Sequence, residues 1–367
     1  MKRIVFVLAA RFPTEKAYGV TTELSAEAAK ALGYSVIIAT PKLDSTLESN
    51  INVCILADRL HRLLLSKKVK KFVYLRFSFF IYVYSLSLKQ KFKNVDSIFW
   101  VRDVFLSYCL AKYCNNSIIL EIHRTPKFLE RILLKSLKKN RKVTLAPITE
   151  HLQIKLKLDA RNSVVAPMSV KNSELNLTRE NALPRRNSIV YLGNYITGPH
   201  RLNLDLINQV AHRLNEKYST WNIDIIGIKE ETFISVCNGV TSTNLNFVSR
   251  MDRAEVMEKL RESCIALVLY PDLSYFQDSF PIKIVEYAAA KLAIIASDTH
   301  AHRKILGVER CLYFETDSVI DLFAKIEKLI LNNNLRDIVS TNAFSWAENL
   351  TYENRVRRIL QHVATQI

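Results

Sequence analysis

IVFVLAA (4–10), SVIIAT (35–40), NVCILA (52–57), SIFWV (97–101), SIILEI (117–122), VTLAPI (143–148) and SVVAP (163–167) are short, almost uninterrupted apolar runs. Between them lie helix-like segments such as TTELSAEAAKALG, which ends on a glycine suited to a C-cap. Strands apolar on both faces and separated by amphipathic helices imply a parallel sheet covered on both sides. After a polar stretch, NSELNLTRENALPRRN (172–187), the alternation restarts with SIVYLG (188–193), WNIDIIG (221–227), NLNFVS (244–249), CIALVLY (264–270), LAIIAS (292–297) and CLYFE (311–315). The expected fold class is α/β, with two Rossmann-like doubly wound domains and an interdomain cleft. The expected boundaries are 1–172 for a basic N-terminal domain, 173–187 for a linker, 188–345 for a C-terminal domain and 346–367 for a helix returning to the first.

A length of 367 residues suits two domains. The six cysteines are scattered without a C-x-x-C pair, so they read as reduced core thiols, with no zinc site. No G-x-G-x-x-G follows the first strand and no G-x-x-x-x-G-K-[ST] occurs, against a nicotinamide or flavin enzyme and a P-loop NTPase. D-x-D is also missing, leaving a metal-held sugar diphosphate without an obvious ligand pair. Of only seven glycines, Gly19, Gly193, Gly198 and Gly227 fall at or just past expected strand ends, where ligands sit in open parallel sheets.

Charge is unequally shared. Residues 1–172 hold 30 Lys and Arg against 12 Asp and Glu, while the remainder hold 22 against 23. Such asymmetry points to an anionic partner for the first half. Lys67, Lys68, Lys70 and Lys71 precede an aromatic stretch, FVYLRFSFFIYVY (72–84), and Lys138 and Lys139 lie in RTPKFLERILLKSLKKNRK (124–142). Basic amphipathic segments with aromatics mark interfacial membrane binding.

In DSFPIKIVEY (278–287), Ser279 is expected to cap a helix starting near 280, whose first-turn N–H groups form an anion site. Lys283 is spaced to pair with Glu286.

Six segments in order resemble the retaining GT-B glycosyltransferases of family 4: YGVTTELSAEAAKALGYSVIIAT, SIFWVRDVFLSYCLAK, SIILEIHRT, YLGNYITGPHR, the Asp278-x7-Glu286 pair and FSWAENLTYENRVRRILQHV. The resemblance implies that Glu286 anchors a nucleotide ribose, that Asp278 contacts the donor sugar, and that Phe280, Pro281 and Ile282 present backbone to it. It places His200 or Arg201 at a phosphate-binding lysine position, Asn194 at an arginine position and Gly19 with Val20 at a Gly-Gly turn near the donor phosphate. Lys283 is a further phosphate candidate. His123, two residues past Glu121, is implied to hydrogen-bond the sugar or acceptor, and Arg102 stands in the acceptor domain. The implied activity moves a sugar from a nucleotide-sugar substrate, without metal or cofactor, to an anionic or lipid-linked glycan acceptor in polysaccharide or lipopolysaccharide synthesis. The implied location is cytoplasmic, peripheral on the inner face of the inner membrane. The alternatives are a basic nucleic-acid-binding protein, for which no motif is present, and a GT-B epimerase or non-catalytic homologue.

Overall fold

A computed structural model describes residues 2–14, 17–43, 49, 51–56, 73–180, 183–194, 196–197, 200–237, 240–248 and 251–366. The chain forms two compact units, Met1–Pro167 with Tyr352–Ile367, and Met168–Thr351.

In the first unit six strands, β1 (Arg3–Val7), β2 (Ser35–Thr40), β3 (Val53–Ile55), β4 (Ser97–Val101), β5 (Ser117–Ile122) and β6 (Val143–Pro147), form one parallel sheet in the order β3-β2-β1-β4-β5-β6. Because successive strand residues point to opposite faces, β1 serves two cores. Val5 and Val7 pack with Phe80, Tyr84, Leu110 and Leu134, from the helices Val73–Lys91, Val104–Tyr113 and Phe128–Leu137. Ile4 and Phe6 pack with Leu24, Trp100, Val356, Ile359 and Leu360 on the other face. That second face is covered by the helix Ala17–Ala31 and by the helix Tyr352–Ala364, which reaches it from the far end of the chain. Each buried aliphatic side chain of that last helix contributes about 1.5–3 kcal/mol to holding it there.

The second unit repeats the plan. Strands β7 (Ser188–Leu192), β10 (Asn222–Ile226), β11 (Leu245–Val248), β12 (Ile265–Val268), β13 (Ala293–Ser297) and β14 (Cys311–Phe314) run parallel in the order β11-β10-β7-β12-β13-β14. A small antiparallel hairpin, β8 (Ile196–Thr197) with β9 (His200–Arg201), follows β7. In both sheets the winding reverses between the first strand and its later neighbour, β1/β4 and β7/β12. Ligands of such sheets sit beyond the carboxyl ends of the strands at this switch point.

Three expectations change. The polar stretch 173–187 is not a plain linker: Asn172–Glu180 is a helix whose Glu174 and Leu175 are buried. SVVAP runs beside β6 by Val164 N–H to Leu145 O and Ala166 N–H to Pro147 O, but forms an isolated bridge and no further strand. Nor does Ser279 cap a helix. Its hydroxyl donates to Phe276 O at 2.7 Å, and the helix Ile282–Ala289 begins after Pro281, which has no side chain able to cap it. All six cysteines are free thiols.

Candidate active site

In the second unit the switch point is built around one amine. β7 ends at Gly193, whose φ of 128° is left-handed backbone that glycine tolerates. A Cβ there would lie 2.8 Å from Lys283 Nζ, so the missing side chain leaves room for that ammonium. Lys283 comes from the second position of the helix Ile282–Ala289 and is only 7% exposed. Its Nζ lies 4.5 Å from the ring centre of Tyr191 and 5.2 Å from that of Tyr270, an aromatic cradle that favours a cation by its electron-rich faces. Among the described residues it makes no ion pair. Burial pulls its pKa down to about 7, and the charge of Glu286 opposes this only in part. The arrangement sets this buried amine next to a helix start with no side-chain cap.

The expected Lys283–Glu286 pair does not form. Instead Arg253 Nη1 donates to Glu286 Oε1 at 2.6 Å, and the same guanidinium binds Glu174 at 2.7 and 3.1 Å. Arg253 opens the helix Arg253–Glu262 behind a capping box of Asp252 and Glu255. The segment taken as linker therefore anchors the arginine that orients Glu286. One Glu286 oxygen is engaged; a carboxylate has acceptor capacity to spare for hydroxyl donors. Asp278 is buried and closes the short helix Ser274–Gln277. Phe280 stacks on Trp346, with ring centres 6.4 Å apart at 8°, so its side chain secures the turn and only its backbone is left to contact a ligand. Pro281 and Ile282 form the helix start beside it.

The hairpin residues divide. His200 packs its ring on Tyr275 and Phe276 at 5.1 and 5.5 Å, fastening the hairpin rather than reaching out. Arg201 is exposed and lines a cavity of about 140 Å³ over the ends of β12 to β14, with Tyr270, Ser297, Thr316 and Asp317. Asn194 is exposed, its carbonyl accepting from the Tyr191 hydroxyl at 3.3 Å.

In the first unit the switch-point chemistry centres on Glu121, the residue before the last of β5. Its Oε1 accepts from Trp100 Nε1 at 2.8 Å and from Arg355 Nη1 at 2.7 Å. Its Oε2 accepts from Arg102 Nε and His123 Nε2, both at 2.8 Å. Burial alone would raise this carboxyl, but Arg355, Arg102 and His123 together hold it well below the usual range. A carboxylate only accepts, so Nε2 of His123 carries the proton and Nδ1 is an acceptor. Desolvation, and then the charge of Arg102, lower the His123 pKa to about 4 against the pull of Glu121, so the imidazole is neutral near pH 7.

Arg102 also donates to Tyr18 O at 3.1 Å, which ties it into this network. Gly19 sits in the first turn of the helix Ala17–Ala31, not in an open loop. A Cβ there would lie 2.2 Å from Thr14 Cγ2, so the glycine makes room for Thr14. Val20 packs against the Phe6 core. Lys138 donates its ammonium to Leu156 O, joining the ends of two helices, while Lys139 is exposed. Lys67, Lys68, Lys70, Lys71 and Gly198 lie outside the described residues. Sequence reasoning passed over Arg253, Glu174, Tyr191, Tyr270 and Arg355. The D-x-x-E box ahead of Arg253 was the one local signal, since the other partners meet only through folding.

Both sheets and their helices match known structures along nearly their whole length. Sucrose-phosphate synthase from Thermosynechococcus elongatus is 10% identical with a TM-score of 0.68, covering 100% of this chain and 99% of that one. Anabaena HepE, solved in complex with UDP, is 12% identical with a TM-score of 0.66, covering 99% and 100%. WaaG, a glycosyltransferase involved in lipopolysaccharide biosynthesis, is 13% identical with a TM-score of 0.61, covering 99% of each. At such identities the likeness establishes the fold, the two-domain α/β architecture called GT-B. No curated protein matches the chain by sequence. The family model for glycosyl transferases group 1 matches residues 178–346, nearly all of the second unit and every one of its sheet strands. The second unit thus resembles the glycosyl transferases of group 1.

Proposed function

We propose that the chain is a retaining glycosyltransferase of the family 4 type, moving a sugar from a nucleotide-sugar to a lipid-linked or polysaccharide acceptor in surface-glycan synthesis. The observation carrying the donor half is Lys283: a buried ammonium, without an ion pair among the described residues, beside Gly193 at the β7/β12 switch point and next to an uncapped helix start. The donor diphosphate supplies an anion for this amine and restores the charge that burial suppresses. Glu286, oriented by Arg253, takes the ribose hydroxyls, and Asp278 with the backbone of Phe280, Pro281 and Ile282 faces the sugar. The sugar–phosphate bond breaks as electron density moves to the leaving phosphate, which Lys283 stabilises. The acceptor hydroxyl oxygen bonds to the anomeric carbon on the face the phosphate leaves, and the phosphate oxygen takes the hydroxyl proton, so no protein nucleophile is needed. His123, neutral and held by Glu121, offers Nδ1 as a hydrogen-bond acceptor to a substrate hydroxyl. The acceptor half draws on the basic first half of the chain and on WaaG's part in lipopolysaccharide biosynthesis; the location proposed with it is the cytoplasmic face of the inner membrane. A thermal-shift panel of UDP-, GDP- and ADP-sugars tests the donor reading: one class should raise the melting temperature by mass action, and indifference to all three refutes it. The anomeric configuration of the product then tests retention.

A further inference from the structure

We infer that the helix Phe128–Leu137 lays its outer face on an anionic lipid surface. Its inner side is satisfied, with Leu134 and Leu137 buried under the sheet. Its outer side is not: Phe128, Leu129 and Ile132 are 77, 57 and 51% exposed. At 100° per residue these three fall in one sector about 100° wide, and Arg131 and Lys135, both exposed, fall in the sector beside it. The lone acid of the segment does not offset them. Glu130 is held by two bonds from Arg124, at 2.7 and 2.8 Å, and accepts the Lys127 N–H at 2.7 Å, so its charge is spent within the helix cap. Lys127, Lys139, Arg141 and Lys142 add exposed positive charge at the two ends.

Two further observations favour lipid. The apolar exposure continues in the same helical layer: Val104–Tyr113 packs between this helix and Val73–Lys91, on which Phe79 and Tyr82 are 54 and 40% exposed. Among the described residues no helix is long and apolar enough to cross a membrane, and ten residues span only about 15 Å, so this face lies on a bilayer and does not span it. Nucleic acid would be met by the cations but would leave Leu129 and Ile132 in water.

This deepens the membrane arm of the reading above, and its test needs no donor, so it can fail while donor binding stands. The full chain is floated with vesicles of phosphatidylcholine and phosphatidylglycerol at about 7:3, and with phosphatidylcholine alone, at low and high salt. The wild type should float with the anionic vesicles only, and less at high salt. Arg131→Gln/Lys135→Gln should lower the partition coefficient about 30-fold, and Phe128→Ser/Ile132→Ser should lower it at least as far. All four positions are exposed, and unchanged circular dichroism and melting would confirm that the variants fold. No flotation at low salt overturns the inference, as do variants that float like the wild type. So does sedimentation showing a dimer that Phe128→Ser/Ile132→Ser dissolves, which would make the occupant a second copy, or binding to duplex RNA without binding to vesicles.

Discussion

Replacing Lys283 with Met separates stability from function. The ammonium's pKa falls from 10.5 to about 7 on burial, and at about 1.36 kcal/mol per unit this is about 5 kcal/mol against carrying the charge in the fold. The unfolded chain binds the proton below 10.5, the folded chain only below about 7. Protonation therefore favours unfolding, and the penalty is complete below pH 7 and fades as pH rises toward 10.5. Between about pH 7 and about pH 9 the wild type should gain about 2 kcal/mol that Lys283→Met lacks. Methionine fills similar volume without a charge, so the variant should be more stable than the wild type at neutral pH. Urea denaturation of both proteins from about pH 6 to about pH 9 reads the difference directly. The same variant should lose the melting shift produced by UDP. In the wild type UDP affinity should weaken above pH 7, by up to about tenfold per unit, because binding requires the protonated amine. Parallel stability curves for the two proteins, or unchanged UDP binding by the variant, would refute the placement of this buried ammonium as a phosphate ligand.

Glu121→Gln should cost about 3–5 kcal/mol, read from the denaturation midpoint, because Arg355 stays buried, and Arg102 half-buried, without their shared carboxylate. In the wild type that stabilisation is present above the carboxyl's unfolded value of 4.5 and is lost only as pH falls well below it, so no loss from this group should occur between pH 5 and 7. His123→Ala should slow turnover at least about tenfold with little change in melting; since its pKa is about 4, the wild-type rate should show no inflection near 6.5, and an inflection there that vanishes in the variant would count against a neutral imidazole. Glu286→Gln keeps a hydrogen bond to Arg253 but loses the charge, and should reduce turnover by more than about tenfold in the folded protein; undiminished activity would remove Glu286 from the donor site.

The repeated alternation of apolar runs and amphipathic segments was enough for two parallel sheets, because strand period and burial on both faces are local properties that each run carries by itself. That Gly193 and His123 lie just past the ends of β7 and β5 was legible too, since the apolar runs stop there. The linker was misread because low hydropathy hides the one buried acid, Glu174, whose partner Arg253 is 79 residues away. Gly19 was placed at a turn by its neighbours in sequence, but Thr14 occupies the space its missing side chain leaves.

Which residues the chain would have at its switch points was thus written in order and composition. What each does there depended on groups far apart in sequence: Arg355 reaching Glu121, Arg253 capturing Glu286, and two tyrosines, one in β7 and one just past β12, enclosing Lys283. The charge state of a buried group follows from everything within a few ångströms of it, and only the folded chain brings those neighbours together.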